Sequence, residues 1–198
     1  MTADVTLVDE RPLTPAAQRI LDAASRLFYA EGIRAVGVEA IVATAGVTKK
    51  TLYDRFGSKD ELIASYLRAR DRRWRNWLTT FVGEHALTPR DKLLTTFDAL
   101  DGWMKQEEPR GCGFANACAE FPDPEHPARL AVLEQKRWLL AYLTKLAKEA
   151  NLRRHKQLAR QLAVLHEGAS AARGLGVIGD PAYEARAIAV RLMEASDR

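Results

Sequence analysis

The sequence predicts an all-α fold, a small three-helix head followed by a larger helical bundle. Three observations lead there. Apolar residues recur three and four positions apart through most of the 198-residue chain, as on one face of a helix. Helix-start and helix-stop residues punctuate that pattern at regular intervals. No run alternates apolar and polar residues as a half-buried strand would.

The elements follow in order. Residues 1–13 carry no helical period and read as a flexible tail. Thr14 and Pro15 supply an N-cap and a first helical position. Ile20, Ala24, Leu27 and Phe28 then form one stripe, closed by Gly32. A short helix at 38–45 turns Val38, Ile41 and Val42 inward and breaks at Gly46. A third helix covers 48–55, with Leu52 and Phe56 as its apolar side. Ser58 and Glu61 fit a capping box for a fourth, which runs to Phe81 before Gly83 and carries Ile63, Leu67, Trp74, Trp77 and Phe81. Thr88 and Pro89 open a helix bearing Leu93, Phe97, Leu100 and Met104. A short apolar piece, FANACAEF, precedes the proline-rich PDPEHP. The next helix carries Leu130, Leu133, Arg137, Leu140 and Ala147. Leu158, Leu162, Leu165 and Ala169 mark the following one, and Asp180 and Pro181 begin the last, with Ile188 and Leu192. The expected organisation is a tail at 1–13, a head at 14–57 and a bundle at 58–198.

Composition bounds the function classes. The formal charge is +4, too mild to identify a nucleic-acid partner unless the cations cluster. Two cysteines exclude a disulfide scaffold and suit a reducing compartment. No apolar run approaches the roughly 18 residues of a membrane span, and the first dozen residues lack a signal peptide's basic flank and apolar centre. A cytoplasmic protein without a membrane partner is expected. The histidines and cysteines have no metal-ligand companions at useful spacing, and no nucleophile and base can be paired, so neither cofactor nor metal nor enzymatic activity is expected. Cys112 and Cys118 read as buried small apolar residues, and His166, beside a leucine face, as a core histidine with its hydrogen bonds made.

The cations do cluster, in AGVTKKTLYDRFGSKDEL at 45–62. Lys49, Lys50 and Lys59 stand at helix starts, the positive ends of helix dipoles, where a cation is disfavoured unless an anion is near. Helix, glycine turn and helix at 38–55 is the helix-turn-helix pattern, whose second helix enters the DNA major groove. Phosphates favour helix N-termini, so Thr48, Lys49, Lys50 and Thr51 are placed at bases and phosphates. Tyr53, Arg55 and Lys59 are placed at flanking phosphates. Arg72, Arg73 and Arg75, further along, read as a solvated face.

The stretch ILDAASRLFYAEGIRAVGVEAIVATAGVTKKTLYDRFGSKDEL, positions 20–62, resembles the TetR family of bacterial one-component transcription regulators. Its markers are Phe28 with Gly32, AGV at 45–47, TLYDRF at 51–56 and SKDEL at 58–62. The resemblance implies a homodimer on a palindromic double-stranded DNA operator, usually a repressor released by a small molecule. It also implies that Thr48 to Thr51 face the groove while Tyr53, Arg55 and Lys59 hold the backbone. An activator or a ligand-independent regulator is the alternative within that class, and a helical enzyme the alternative outside it. Two positions depart from the family pattern. Gly37 stands where serine or threonine usually caps the second helix, and Glu39 follows, either accepting from a cytosine amine or balancing the positive helix end.

The rest of the chain supports expectations about the ligand and the dimer. Aromatic enrichment at 97–142 suggests a small, largely apolar effector, with Phe97, Met104, Phe114, Trp138 and Tyr142 as candidate lining. Leu158, Leu162 and Leu165 with Ile188 and Leu192 exceed what one modest core needs and are the expected dimer seam. The run EGASAARGLG at 167–176 permits close helix approach, inside the chain or across that seam.

Overall fold

The structure is a computed structural model and describes residues 13–107 and 110–196; the tail expected at 1–13 lies, apart from Leu13, outside them. Among the described residues there are nine helices and no strand. They are α1 (Pro15–Glu31), α2 (Val38–Ala45), α3 (Lys49–Phe56), α4 (Lys59–His85), α5 (Pro89–Glu107), α6 (Gly113–Glu120), α7 (Pro127–Glu149), α8 (His155–Leu175) and α9 (Pro181–Ser196). None is long and apolar enough to cross a membrane. The chain divides into two compact units, 1–66 and 67–198, within α4 rather than at Gly57. The edge of Phe28 packs on Tyr66 at 5.6 Å between ring centroids, which ties the first two turns of α4 to the head.

In the first unit, Thr14 caps α1 by accepting from the Ala17 N–H, with Pro15 at the first helical position. Ile20, Ala24 and Phe28 of α1, Ile41 of α2 and Leu52 of α3 are all buried, and α1 packs on both other helices. Gly46 adopts φ 62, a left-handed conformation that costs glycine little, and this turns the chain sharply from α2 into α3. Arg19 Nε donates to the Ala45 carbonyl at 3.2 Å and pins that turn to α1.

In the second unit α8 packs on α7 and α9, and α5 on α7 and α9. Thr88 and Asp91 cap α5 reciprocally, each side chain accepting from the other's backbone N–H. Phe97, Met104, Leu143, Leu158 and Leu162 are fully enclosed in the core. Helix α4 continues through Gly83 to His85 because that glycine sits on an open face where no packing is lost. On α7 the inward face differs from the leucine pattern. Ala128, Val132, Gln135, Leu139, Leu143 and Leu146 are buried, whereas Leu130 and Arg137 are exposed.

The residues expected at a seam on α8 and α9 differ in how much of them the single chain leaves outside. Leu158 and Leu162 are 1% and 0% exposed within the single chain, so its own core consumes them. Leu165 and Leu192 are half-buried against that core, and of the five only Ile188 is exposed. The small-residue run serves packing within the chain: Gly174 meets the backbone of Arg110 and Gly111, where a Cβ would stand 3.0 Å from the Gly111 Cα.

Candidate nucleic-acid interface and cavity

Helix α3 has one buried side chain, Leu52, which anchors it to α1 and α2. Lys49, Lys50, Tyr53, Asp54 and Arg55 are exposed, and Thr51 and Phe56 are half-buried. Thr48 caps the helix, accepting from the Thr51 N–H at 3.2 Å, and the two hydroxyls lie 2.9 Å apart. Thr48 is itself exposed. Gly57 ends the helix by donating its N–H to the Tyr53 carbonyl. Ser58 then accepts from the Glu61 N–H at 3.0 Å and starts α4, with Lys59 half-buried in its first turn.

Two of the lysines have acidic partners that the cation cluster alone did not suggest. Lys49 bonds Glu39 of α2, and Lys50 bonds Asp54 one turn along α3 at 2.6 Å. The Lys49 hydrogen bond holds the Glu39 carboxyl below its usual range, and the same bond raises the Lys49 ammonium. Glu39 is therefore the counter-charge of the recognition helix as well as a residue of the α2 start. Both pairs are exposed, so exchanging a carboxylate for a phosphate costs little. Asp54 was legible as an i,i+4 partner of Lys50; the contact of Glu39 with Lys49 depends on the turn between two helices.

Between α4, α5, α6, α7 and α8 the second unit leaves a small cavity of about 20 Å³, room for about one water, partly open to solvent. Of the five residues expected to line a pocket, Phe114 does so. The other four are engaged elsewhere. Phe97 lies behind the cavity with its ring 4.3 Å from that of His166, and Met104 is enclosed in the core. Trp138 stacks on Tyr142 at 5.3 Å, and the Arg75 guanidinium covers the Trp138 ring at 4.8 Å. Arg75 also bonds the buried Asp71, whose carboxyl burial pushes up against that bond, so Arg75 is more than a solvated cation.

The lining is more polar than an apolar ligand would need. Trp74, Gln135 and His166 contribute polar groups, and Lys136 and Glu167 pair at 2.7 Å beside them. The Cys112 Sγ lies 3.6 Å from Lys136 Nζ. Cys112 is buried as expected; Cys118 is only half-buried and meets the Arg129 guanidinium. His166 is buried, but only its Nε2 is bonded, to Thr96 Oγ1 at 3.0 Å; its Nδ1 has no partner in the chain. Burial, reinforced by the Lys136 cation, lowers its pKa to about 3.

Comparison with known proteins agrees with both units. Residues 20–66 match the family described as bacterial regulatory proteins, tetR family, and residues 89–190 match the tetracyclin repressor-like C-terminal domain. A TetR-family transcriptional regulator from Streptomyces coelicolor superposes with a TM-score of 0.83 at 33% identity, covering 93% of this chain and 97% of its own. An uncharacterised helix-turn-helix-type transcriptional regulator from Mycobacterium tuberculosis is 28% identical over 66% of this chain and 74% of its own length. Another, YjdC of Escherichia coli, is 24% identical over 75% and 78%. The chain belongs to the TetR family of bacterial regulatory proteins and is a DNA-binding transcriptional regulator.

Proposed function

We propose that the protein is a cytoplasmic, homodimeric repressor that leaves a palindromic operator when a small molecule binds its second unit. The observation that carries the DNA half is α3. It spends one side chain on the core and leaves Thr48, Lys49, Lys50, Tyr53 and Arg55 outside, on a helix whose N-terminus is capped by a residue small enough to let phosphate approach. Thr48 to Thr51 are assigned to the groove, and Tyr53, Arg55 and Lys59 to the backbone of the duplex. Family members typically act as dimers with small effectors, and the match of residues 89–190 to the tetracyclin repressor-like C-terminal domain supports the same division of labour here.

The test has two stages. Operator capture from random double-stranded DNA should return an inverted repeat whose half-sites lie about 34 Å apart, one helical turn. Compounds are then screened for release of that complex. Coupling is reciprocal: a compound that lowers operator affinity a hundredfold binds the operator-bound protein a hundredfold more weakly, about 2.7 kcal/mol. A compound that binds equally well with and without operator is no inducer. Capture of unrelated sequences with no repeat would overturn the operator reading.

A further inference from the structure

We propose that Glu39 and Lys49 form a specificity-determining pair that reads one cytosine–guanine base pair in each half-site, Glu39 accepting from the cytosine amine and Lys49 donating to the guanine. This rests on the reading of α3 as the helix that enters the groove, and it adds α2 to the readout.

The geometry ties the two side chains together. Glu39 stands in the first turn of α2 and Lys49 is the first residue of α3, and a direct ion pair joins them across the Gly46 turn. The Glu39 side chain is 71% exposed and that of Lys49 54%, so the pair lies on the outer surface of the head. The carboxylate is held from two sides. Its Oε1 accepts from Lys49, and its Oε2 lies 3.3 Å from where a Cβ on Gly37 would stand. The glycine that leaves α2 without a side-chain cap is thus also the residue that leaves room for this carboxylate. The bond to Lys49 keeps the Glu39 carboxyl below its usual range, so it reaches DNA ionised and able only to accept.

Because Lys49 is assigned to the groove, the carboxylate bonded to it arrives there as well. Phosphates and base acceptors repel it. The donors that the major groove offers are the amines of cytosine and adenine. Beside that amine the Lys49 ammonium needs an acceptor. A C·G pair presents the cytosine amine next to guanine O6, with N7 beyond it as a second acceptor. An A·T pair presents its amine next to a single O4 flanked by the thymine methyl, so the lysine has less to bond. With either pair reversed, the carboxylate faces acceptors. Only C·G therefore satisfies both charges in full without breaking the ion pair, and the other choices leave a desolvated group unmade. The second acidic partner, Asp54, is placed differently. It lies one turn along α3 from Lys50, in the half that carries Tyr53 and Arg55 and is assigned to the duplex backbone.

The experiment repeats the operator capture with the full-length protein and with Glu39→Ala, Glu39→Gln and Asp54→Ala, all changes of exposed side chains. The native protein is expected to prefer C·G at one position of each half-site by about tenfold or more. Glu39→Ala should lose the preference at that position alone and keep the rest of the repeat. Glu39→Gln should turn it toward A·T, since glutamine bonds adenine N6 and N7. An operator with N4-methylcytosine at that position puts a methyl group where the carboxylate must come. It should bind the native protein about tenfold more weakly and leave Glu39→Ala unaffected. If Glu39→Ala instead binds every duplex more tightly with its base preferences intact, Glu39 is only the counter-charge of Lys49 and the assignment is overturned. Loss of the preference in Asp54→Ala but not in Glu39→Ala overturns it too, because the carboxylate in the groove is then the other one. Capture that returns no inverted repeat with the native protein removes the operator reading and this assignment with it; a repeat with no position that depends on Glu39 removes this assignment alone.

Discussion

At the scale of single residues, His166 couples the cavity to pH. Its folded-state pKa of about 3 lies below the ordinary histidine value, so between about pH 6.5 and 3 the unfolded chain takes up a proton that the folded chain refuses. Stability from this group is complete above about pH 6.5 and is lost as pH falls through that window, by about 2 kcal/mol at pH 5. Urea midpoints at pH 7.5 and pH 5.0 should therefore fall further in the native protein than in His166→Gln, which cannot titrate. Equal slopes would mean the imidazole is solvated. The recognition lysines divide in another way. Lys59 is assigned to the duplex backbone, so Lys59→Ala should weaken binding to all sequences alike and lower the salt slope by about 1. Lys50→Ala should shift preference among operator bases, because Lys50 is assigned to the groove. Loss of affinity with unchanged preference would move Lys50 to the backbone.

At the scale of elements, two glycines in helices should respond with opposite sign. Gly83 of α4 has nothing within 4 Å of an added Cβ, so Gly83→Ala should stabilise by about 0.5–1 kcal/mol through helix propensity alone. On α8, a Cβ at Gly174 would stand 3.0 Å from the Gly111 Cα and 3.1 Å from the Arg110 carbonyl oxygen, both backbone. Gly174→Ala should destabilise by about 1–3 kcal/mol, read as a drop of several degrees in Tm. Sequence reading reached the head almost residue for residue, because caps and glycines set its short helices locally. It misjudged α7 by taking the neighbouring stripe: Leu130, Leu133, Arg137 and Leu140 are exposed or half-buried, whereas Val132, Gln135, Leu139, Leu143 and Leu146 face inward. Gln135 between Val132 and Leu139, and His166 between Leu162 and Ser170, were visible as polar residues on apolar stripes. That five helices bring them to one cavity was not visible, since helical spacing says which residues share a face and not which faces meet.

At the scale of the whole molecule, the proposed dimer has to be built from what the core leaves over. Deleting α8 and α9 would not test it, because Leu158, Leu162, Ala189 and Met193 are part of the chain's own core and their loss would unfold the second unit. Val164 on α8 and Tyr183 and Ile188 on α9 are 70%, 68% and 43% exposed, so they remain for a partner. In a two-fold contact each appears twice, and a carboxylate introduced at two of them brings four charges into the seam. Each is costly to bury without a counter-ion. Val164→Asp with Ile188→Asp should therefore keep the helical circular dichroism and the thermal transition of a folded chain while sedimenting as a monomer at micromolar concentration. Operator affinity should collapse, since a single head meets one half-site, while weak salt-sensitive binding to any duplex persists. If the double variant stays dimeric, the seam lies on another face; if it becomes monomeric yet holds the inverted repeat as tightly as before, the two heads do not act together and the homodimeric mechanism fails.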